Sequence, residues 1–371
     1  MRSDRPAVVL ADTEPWEAFT WLAAALRRQG FDTYRLTAPP GTRLQRLSSA
    51  LYRIAYTRTE VSLQWAGGTA PVDTTAVGCV WRDTVVDVQA ADRVGAALIE
   101  DPRWAQHPRL HRVPAGEREM RLYDKLTQTL DAEAAGCPVP RTWTDPADVT
   151  SDRVVIKQRL GSGGDAVVIV PTTEIDTWVR RWEGQGGGIV FQEVIEGAVL
   201  NVGGFAQDGE LVVAAAYATE QSPTDPEGPS VRIRTLQRPD LIESVAAYVA
   251  RTRYTGAICV DFISADEGYL IDVNPRFFGS WAALQAAGLP LLETYVDHLR
   301  GVPAVPNTRQ LGEIVQWTAP TAAGSRLDTT RTGIGVLREF ARFTGPRGYV
   351  AGLPGLARAV RAAGAPVPLT P

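Results

Sequence analysis

Residues 256–280 read GAICVDFISADEGYLIDVNPRFFGS, and this stretch decides the interpretation of the chain. It contains two short apolar runs with alternating polar positions, Ala257–Ile263 and Tyr269–Val273. The connection between the runs has about four residues and includes a glycine. Two β-branched runs around such a connection predict a β-hairpin.

The register of this hairpin places acidic side chains together. With Ser264 opposite Tyr269, Asp261 lies opposite Asp272, and Asn274 projects from the same face because strand side chains alternate with period two. Like charges that face each other on a sheet repel. A hard cation with oxygen ligands such as Mg²⁺, which binds carboxylates and phosphates, relieves that repulsion. The alternative is an edge hairpin whose acids face water.

Composition excludes several classes of protein. The chain has 371 residues, enough for two or three domains, and a net charge of −4 that gives no footprint for nucleic acid. We find no apolar run of the roughly 20 residues that span a bilayer and expect no signal peptide. Cys79, Cys137 and Cys259 have no paired spacing, which favours a reducing compartment, the cytoplasm.

The N-terminal residues predict a small parallel-sheet domain. Ala7–Ala11 and Thr33–Leu36 read as strands, and the segment between them has apolar residues at helical spacing. The turn after the first strand lacks the glycines of a dinucleotide site, so NAD binding is rejected. Leu44–Trp65 reads as weakly helical. The tail from Asn307, arginine-rich from Arg326 onward, is expected to pack across the body of the protein, and contact with a membrane or a partner is the alternative.

Two lysines stand in contexts that suit phosphate binding. Lys157 ends the predicted strand Val154–Gln158 and precedes Gly161-Ser162-Gly163-Gly164. Glycines let backbone amides approach a phosphate, and the ammonium supplies charge, although flexibility alone also explains such a loop. Lys125 lies in the predicted helix Glu117–Ala135; taken alone, it reads as solvated.

A third segment suits a purine. Gln192-Glu193-Val194-Ile195-Glu196-Gly197 reads as a strand end running into a loop, which can offer backbone donors and acceptors to a purine edge. A plain exit from a strand is the alternative.

Taken in order, these motifs resemble the ATP-grasp superfamily over about residues 117–300. The NPRFFGS ending is most similar to the carbamoyl-phosphate-synthase-like branch and its predicted carboligases, and not to the D-alanine ligase version. The resemblance implies an α/β and α+β chain with an N-terminal βαβ (pre-ATP-grasp) domain at 1–116. A two-lobed ATP-grasp fold follows at 117–305, with lobes of about 117–190 and 191–305, and 306–371 forms a C-terminal extension.

The resemblance also implies roles for individual residues. ATP and Mg²⁺, or Mn²⁺, are the implied cofactors. Lys125 and Lys157 would contact the phosphates, and the loop with Ser162, Gly163 and Gly164 would cover them. Adenine would contact Gln192, Glu193 and Ile195. The metal would be held by Asp261, Asp272 and Asn274, and Arg276 would face the transferred phosphate.

This chain departs from the family at two positions. Many relatives have glutamate where it has Asp272, which still offers a carboxylate. Relatives also carry a ribose-binding acid shortly after the hinge glycine, where this chain reads Ala198-Val199-Leu200-Asn201. Either Asn201 substitutes for that acid or ribose is held more loosely.

The resemblance predicts an ATP-dependent carboxylate–amine ligase that works through an acyl phosphate. Its partners are small-molecule carboxylate and amine substrates, with no nucleic acid and no membrane, and a homodimer remains open. Arg232 and Arg234, two apart on one strand face, are the candidates to hold the substrate carboxylate; a solvent-facing basic strand is their alternative. Two other functions stay open: a bicarbonate-using carboxylase or carbamoyl-type enzyme, and a catalytically silent nucleotide-binding module.

Overall fold

The computed structural model describes most of the central part of the chain and segments on either side of it. The described residues are 5–12, 17–37, 55–61, 64–65, 72–73, 85–90, 122–160, 166–183, 188–221, 232–265, 267–303, 316–318 and 345. The predicted domain boundaries at 116/117 and 305/306 fall outside these residues and stay predictions. Among the described helices, none has the length and apolar character needed to cross a membrane.

The N-terminal unit is a parallel sheet with a helix packed on it. Its elements are β1 (Ala7–Asp12), α1 (Glu17–Arg28), β2 (Asp32–Thr37), β3 (Arg58–Val61), a short β4–β5 pair (Gln64–Trp65 and Val72–Asp73) and β6 (Val85–Ala90), with sheet order β3-β2-β1-β6. The predicted βαβ opening is therefore confirmed. The prediction of a helix over Leu44–Trp65 is wrong at β3, which is a strand. The edge of β2 supplies parallel hydrogen-bond partners for this segment, and local sequence does not reveal them.

The first lobe is an antiparallel sheet with one helix packed on it, and a further helix precedes the sheet in the chain. Its elements are α2 (Lys125–Ala134), β7 (Thr142–Trp143), β8 (Arg153–Gln158), β9 (Val167–Pro171), α3 (Ile175–Glu183) and β10 (Ile189–Glu193), in sheet order β7-β10-β8-β9. The buried side chains of Trp143, Ile156, Trp182 and Phe191 form its core.

The first of these helices begins later than predicted. Residues 122–124 are not helical, and α2 starts at Lys125 instead of continuing from Glu117. Asp124 caps it, since its carboxylate accepts hydrogen bonds from two first-turn amides, and such a cap fixes where a helix begins. The cap puts Lys125 at the first helical position.

The second lobe is a six-stranded antiparallel sheet with helices on both faces. Its elements are β11 (Ala198–Gln207), β12 (Glu210–Gln221), β13 (Arg232–Leu236), α4 (Pro239–Thr252), β14 (Gly256–Ser264), β15 (Gly268–Asn274), α5 (Trp281–Ala286), α6 (Leu291–Leu299) and β16 (Gln316–Thr318), in sheet order β15-β14-β11-β12-β13-β16. The chain passes from the first-lobe sheet to the second-lobe sheet between β10 and β11, a few residues after the predicted lobe boundary. β16 shows that part of the C-terminal extension joins this sheet.

The two faces of the second-lobe sheet have different cores. One face packs on α4 and on residues around α2, with Leu241, Val245 and Tyr248 at its centre. The other packs on α5, α6 and the N-terminal unit, with Phe277, Trp281 and other aromatic side chains. β15 is the edge strand on the side of the first lobe, so its polar residues face the cleft between the lobes.

Candidate active site

The hairpin of β14 and β15 brings the predicted acids together. Asp261 lies opposite Asp272, as predicted, and Cys259 lies opposite Asn274. Paired residues of an antiparallel ladder project from one face, and residues two apart on a strand share that face. Both carboxylates and the Asn274 amide therefore meet on the face that carries Cys259.

The tip of the hairpin differs from the prediction. Ser264 pairs with Gly268, not with Tyr269, so the connection is shorter by one residue. Gly268 belongs to the strand because it packs against α4: a Cβ there would lie 2.1 Å from Leu241 Cδ2. Ile271 is the extra residue of a β-bulge, and this bulge restores the register before the acid pair.

Two lysines from different elements reach this strand. The bulge directs the Ile271 carbonyl toward the cleft, where it accepts a hydrogen bond of 2.8 Å from Lys157 Nζ. Lys125, at the start of α2, forms an ion pair with Asp272 through its Nζ and the Asp272 Oδ1. Both side chains are largely buried. The structure thus places the two predicted lysines beside the predicted acids.

A set of contacts that the sequence did not reveal fixes α2 against this strand. Arg159 Nε donates to Asp124 Oδ2 at 2.9 Å, so the cap of α2 is also an ion pair with the end of the β8 segment. Gln128 Nε2 donates to the Val273 carbonyl at 2.7 Å and ties the helix to β15. These residues hold Lys125 in register with Asp272.

Asp261 is held by neutral neighbours. Asn201 on β11 donates from Nδ2 to Asp261 Oδ1 at 2.7 Å, and the Cys259 thiol lies 3.7 Å from the same oxygen. Asn201 therefore faces the acid pair, and this contact does not support its use as a ribose ligand. No local signal separated the two roles, because the distinction depends on β11 and β14 being neighbours.

The amide of Asn274 links the acids to the arginine of the NPRFFGS segment. Its Nδ2 donates to Asp272 Oδ2 at 3.3 Å, and its Oδ1 accepts from Arg276 Nη2 at 3.1 Å. Arg276 is 8% exposed, and its Nη1 also donates to the Phe277 carbonyl at 3.3 Å. The predicted metal ligands and the predicted phosphate-facing arginine are thus in direct contact.

The charges of the site shift one another's pKa. Burial, followed by the negative charge of Asp272, raises the pKa of Asp261. Burial also acts to raise the pKa of Asp272, but the positive charges of Lys125 and Lys157 outweigh it and the net shift is downward. Burial lowers the pKa of Lys157 from 10.5 to about 8, against the opposing charge of Asp272. Asp272 is therefore the firmly ionised member of the acid pair.

The donor set suits a hard divalent cation. Two carboxylates and one amide oxygen share one face, and oxygen donors of this kind bind Mg²⁺ through one or two carboxylates together with phosphates. The Asp272 side chain is 21% exposed, so a cation entering from the cleft can reach it. Within the described ranges, no three His, Cys, Asp or Glu side chains cluster to form a metal site from protein ligands alone.

The predicted purine-binding segment carries an unsatisfied polar atom. Gln192, at the end of β10, is 2% exposed, and its Nε2 donates to the hydroxyls of Thr129 and Thr142 at 3.3 and 3.1 Å. Its Oε1 is buried and has no hydrogen-bond partner in the part of the chain that the structure describes. Glu193 is exposed and Ile195 half-buried. A buried acceptor without a donor is free to accept a hydrogen bond from a ligand bound beside it.

Arg234, one of the two arginines proposed for the substrate carboxylate, is not brought to the acids. Along β13, Thr235 aligns through the intervening strands with Asp261, so Arg234 projects from the opposite face of the sheet. The register therefore argues against a substrate role for Arg234. The side chain of Arg232 lies outside the described residues, and so do Ser162, Gly163 and Gly164 of the glycine loop; their roles stay predictions.

A family model identifies the part of the chain that carries this site. Residues 122–280 match the ATP-grasp domain. The matched range includes both lysines, the Gln192 segment, the acid pair and Arg276. No curated protein matches the chain.

Solved structures share the fold over a longer range. An L-amino acid ligase from Bacillus licheniformis is 15% identical, with a TM-score of 0.56 over 81% of this chain and 75% of that chain. An N5-carboxyaminoimidazole synthetase from Staphylococcus aureus, complexed with ADP, is 12% identical, with a TM-score of 0.61 over 82% and 79%. A biotin carboxylase from Campylobacter jejuni, in a complex with β,γ-ATP, is 13% identical, with a TM-score of 0.61 over 82% and 72%. The predicted fold class is confirmed.

Proposed function

Residues 122–280 belong to the ATP-grasp family, and from that premise we propose that this chain is an ATP-dependent carboxylate–amine ligase. The γ-phosphoryl group of ATP passes to the substrate carboxylate, and the amine then attacks the acyl phosphate. The products are an amide, ADP and phosphate. The structure of an L-amino acid ligase among the similar folds agrees with this reaction class.

The observation that carries the proposal is the meeting of cations and oxygen donors at β15. Lys125 and Lys157 come from separate elements of the first lobe, and both end on the strand that holds Asp272. Arg276 approaches the same acids through Asn274. Three cations beside two carboxylates suit a reaction in which positioning and charge neutralisation supply most of the rate.

Each lysine has a partner that a phosphate can replace. Lys125 exchanges Asp272 for a phosphate oxygen, which frees that carboxylate for a metal ion. Lys157 exchanges the Ile271 carbonyl for a phosphate oxygen, and the negative charge restores a pKa that burial has lowered. Both exchanges replace contacts within the protein by charge-assisted hydrogen bonds to the nucleotide.

The acid face supplies the ligands for the metal. Asp261, Asp272 and Asn274 would hold Mg²⁺, or Mn²⁺, which when bound would neutralise phosphate charge and polarise a phosphoryl oxygen. Arg276, displaced from the Asn274 oxygen, donates to the transferred group. At the purine end, Gln192 Oε1 accepts from the amino group of adenine, and the backbone at Ile195 lies beside the ring.

A bicarbonate-using reaction is the second candidate. The N5-carboxyaminoimidazole synthetase and the biotin carboxylase give higher TM-scores than the amino acid ligase. The residues that hold ATP and the metal would be the same, so the two candidates differ in the acceptor of the phosphoryl group. ATP turnover that needs bicarbonate and no other carboxylate would favour this candidate.

The test is a phosphate-release screen with ATP, Mg²⁺, pooled carboxylates and hydroxylamine as the amine. We expect phosphate release that depends on a carboxylate, together with a hydroxamate product detected as its iron complex. The hydroxamate reports an activated acyl group directly. If phosphate is released but no pool yields a hydroxamate, amide formation is rejected. If no nucleotide binds at millimolar concentration, both enzymatic candidates are rejected.

The variant Asp272→Asn tests whether turnover depends on the acid pair of β14 and β15. It removes the firmly ionised carboxylate and leaves a side chain of similar shape, so we expect turnover to fall by at least about 10²-fold with the fold retained. Asp148→Asn, at an exposed acid of the first lobe, is the matched control and should keep full turnover. Activity of Asp272→Asn equal to that of the control would refute the metal assignment.

A further inference from the structure

The N-terminal unit reaches the proposed catalytic arginine through two side chains of β6. Asp87 and Gln89 are two apart on this strand and share one face; they are 5% and 0% exposed. Gln89 lies near the carboxyl end of a parallel strand, the edge of an open α/β sheet at which ligands bind. Neither residue belongs to the matched ATP-grasp range.

Gln89 contacts the backbone next to Arg276. Its Oε1 accepts a hydrogen bond of 3.1 Å from the Phe277 amide. The carbonyl of Phe277 accepts from Arg276 Nη1 at 3.3 Å. Gln89 and the Arg276 guanidinium therefore hold the same residue, one at each of its backbone polar groups.

Gln89 is itself held in place from its other end. Its Nε2 donates to Asp87 Oδ2 at 2.7 Å, and the Tyr295 hydroxyl, from α6, donates to the same oxygen at 2.6 Å. This contact requires the amide oxygen of Gln89 to point at Phe277. The chemistry also selects glutamine: a glutamate would place a second carboxylate against Asp87, and an apolar side chain would give Phe277 no acceptor.

The NPRFFGS segment is fixed at further points. A movement of the Phe277 backbone therefore shifts Arg276 and is not taken up by a rearrangement of the rest of the segment. Phe277 is fully buried and packs against the rings of Trp281 and Tyr295, with centroids 5.4 and 4.8 Å away. Trp281 Nε1 donates to the Ala18 carbonyl of α1 at 3.1 Å, a second contact with the N-terminal unit. The Phe278 ring lies where a Cβ on Gly203 would be, 2.5 Å from its Cζ.

We infer that Gln89, oriented by Asp87 and Tyr295, is a positioning residue that sets the Arg276 guanidinium against the γ-phosphoryl group. The N-terminal unit then contributes to phosphoryl transfer without touching the nucleotide. The inference rests on the proposed function of Arg276. It predicts that removing the Gln89 acceptor weakens the contact with the γ-phosphate and leaves the contacts with the rest of ADP intact.

The test measures binding, so it does not require the substrates to be known. Calorimetry with Mg²⁺ gives the affinities for ADP and for a nonhydrolysable ATP analogue, and their ratio reports the γ-phosphate contact. For Gln89→Met we expect the ratio to fall about tenfold, the loss of a charge-assisted hydrogen bond, with ADP affinity unchanged within about twofold. Arg276→Met should lower the ratio at least as far, and the double variant should add little.

Thr33→Val is the matched control. Thr33 is a buried β2 residue whose hydroxyl accepts from the Thr57 amide at 3.3 Å, and that amide also donates to the Thr33 carbonyl at 2.8 Å, so this variant removes one of the two acceptors of a backbone amide within the N-terminal unit. It should keep the wild-type ratio. An equal loss of ratio in Thr33→Val and Gln89→Met would assign the effect to general loosening of the unit and overturn the inference.

The remaining outcomes separate the inference from the function on which it rests. A wild-type ratio in Gln89→Met with a lowered ratio in Arg276→Met overturns the inference alone. A wild-type ratio in Arg276→Met overturns the role of Arg276, and the inference with it. If Gln89→Met does not fold, Tyr295→Phe removes only the hydroxyl that orients Asp87; a ratio lowered about threefold supports the inference and an unchanged ratio rejects it.

Discussion

The two ends of the proposed nucleotide site differ in how far their polar groups are already paired. At the phosphate end, Lys125, Lys157 and Asp272 hold one another or a backbone carbonyl. At the purine end, Gln192 keeps a buried oxygen without a partner among the described residues. In the proposed function, the phosphate end would exchange existing contacts for the nucleotide, whereas the purine end lacks a donor that adenine would supply. The unpaired acceptor of the purine end therefore favours bases that carry a donor, whereas the paired groups of the phosphate end determine how easily that end exchanges its contacts for phosphate.

The largest expected effect comes from breaking the phosphate end at Lys125→Met. Tripolyphosphate should bind about 100-fold more weakly, because a largely buried charge-assisted contact is lost. Mg²⁺ alone should bind more tightly, because Asp272 no longer has a competing ammonium. Calorimetric titrations with tripolyphosphate and with Mg²⁺ measure the loss of one affinity and the gain of the other.

Arg153→Met provides the control for this comparison. It removes the cation of an exposed ion pair with Glu196, so both affinities should stay at their wild-type values. If Lys125→Met weakened Mg²⁺ and tripolyphosphate together, exchange of Lys125 between the acid and the phosphate would be the wrong description.

A smaller effect is expected from Gln192→Leu at the purine end. The variant removes the buried acceptor, so ADP affinity should fall about tenfold while tripolyphosphate, which has no base, binds as before. Preference for ADP over a diphosphate with a base lacking the amino group should also disappear. Equal losses for ADP and tripolyphosphate would place Gln192 outside the purine site.

The smallest effect is the pH dependence of nucleotide binding through Lys157. Its pKa, lowered by burial to about 8, means that the free protein loses this charge as the pH rises through 8. ADP affinity should fall about fourfold between pH 7 and 8.5 if only the protonated lysine binds phosphate. Lys157→Arg keeps its charge over this range and should remove the slope. A slope that persists in this variant would assign it to another group.

Stability should change in the opposite direction to binding. The unfolded chain retains the Lys157 proton up to its ordinary pKa of 10.5, while the folded chain releases it near 8. Between these values the unfolded state binds more protons, so the contribution of Lys157 to the free energy of unfolding rises with pH. Urea unfolding of wild type and Lys157→Met at pH 7 and 9.5 isolates this contribution.

Local sequence predicted the parts of the site that depend on period and order. Alternation along β14 and β15 placed Asp261 opposite Asp272, and the order of the motifs matched a known family. The predicted tip was wrong because Gly268 is drawn into the strand by packing on α4, a contact that no hairpin rule contains.

Contacts between distant elements do not follow from local sequence. Whether Arg234 faces the acids depends on how many strands separate β13 from β14, and alternation within β13 does not give that number. Gln89 sits in a short apolar strand with no motif around it, and its role emerges only when Phe277 is placed beside it. Asn201 was considered only as a substitute for the ribose-binding acid, and its contact with Asp261 depends on the pairing of β11 with β14.

The bulge at Ile271 has a consequence for how sequences of this kind are compared. Its contribution to the site is a backbone carbonyl, so many side chains at this position would preserve the contact with Lys157. Deleting the residue would instead give a regular hairpin in which Asp261 still faces Asp272 but Lys157 has lost its acceptor. Position 271 is therefore tolerant of substitution and intolerant of a change in length, and a column-by-column measure of residue identity would overlook it.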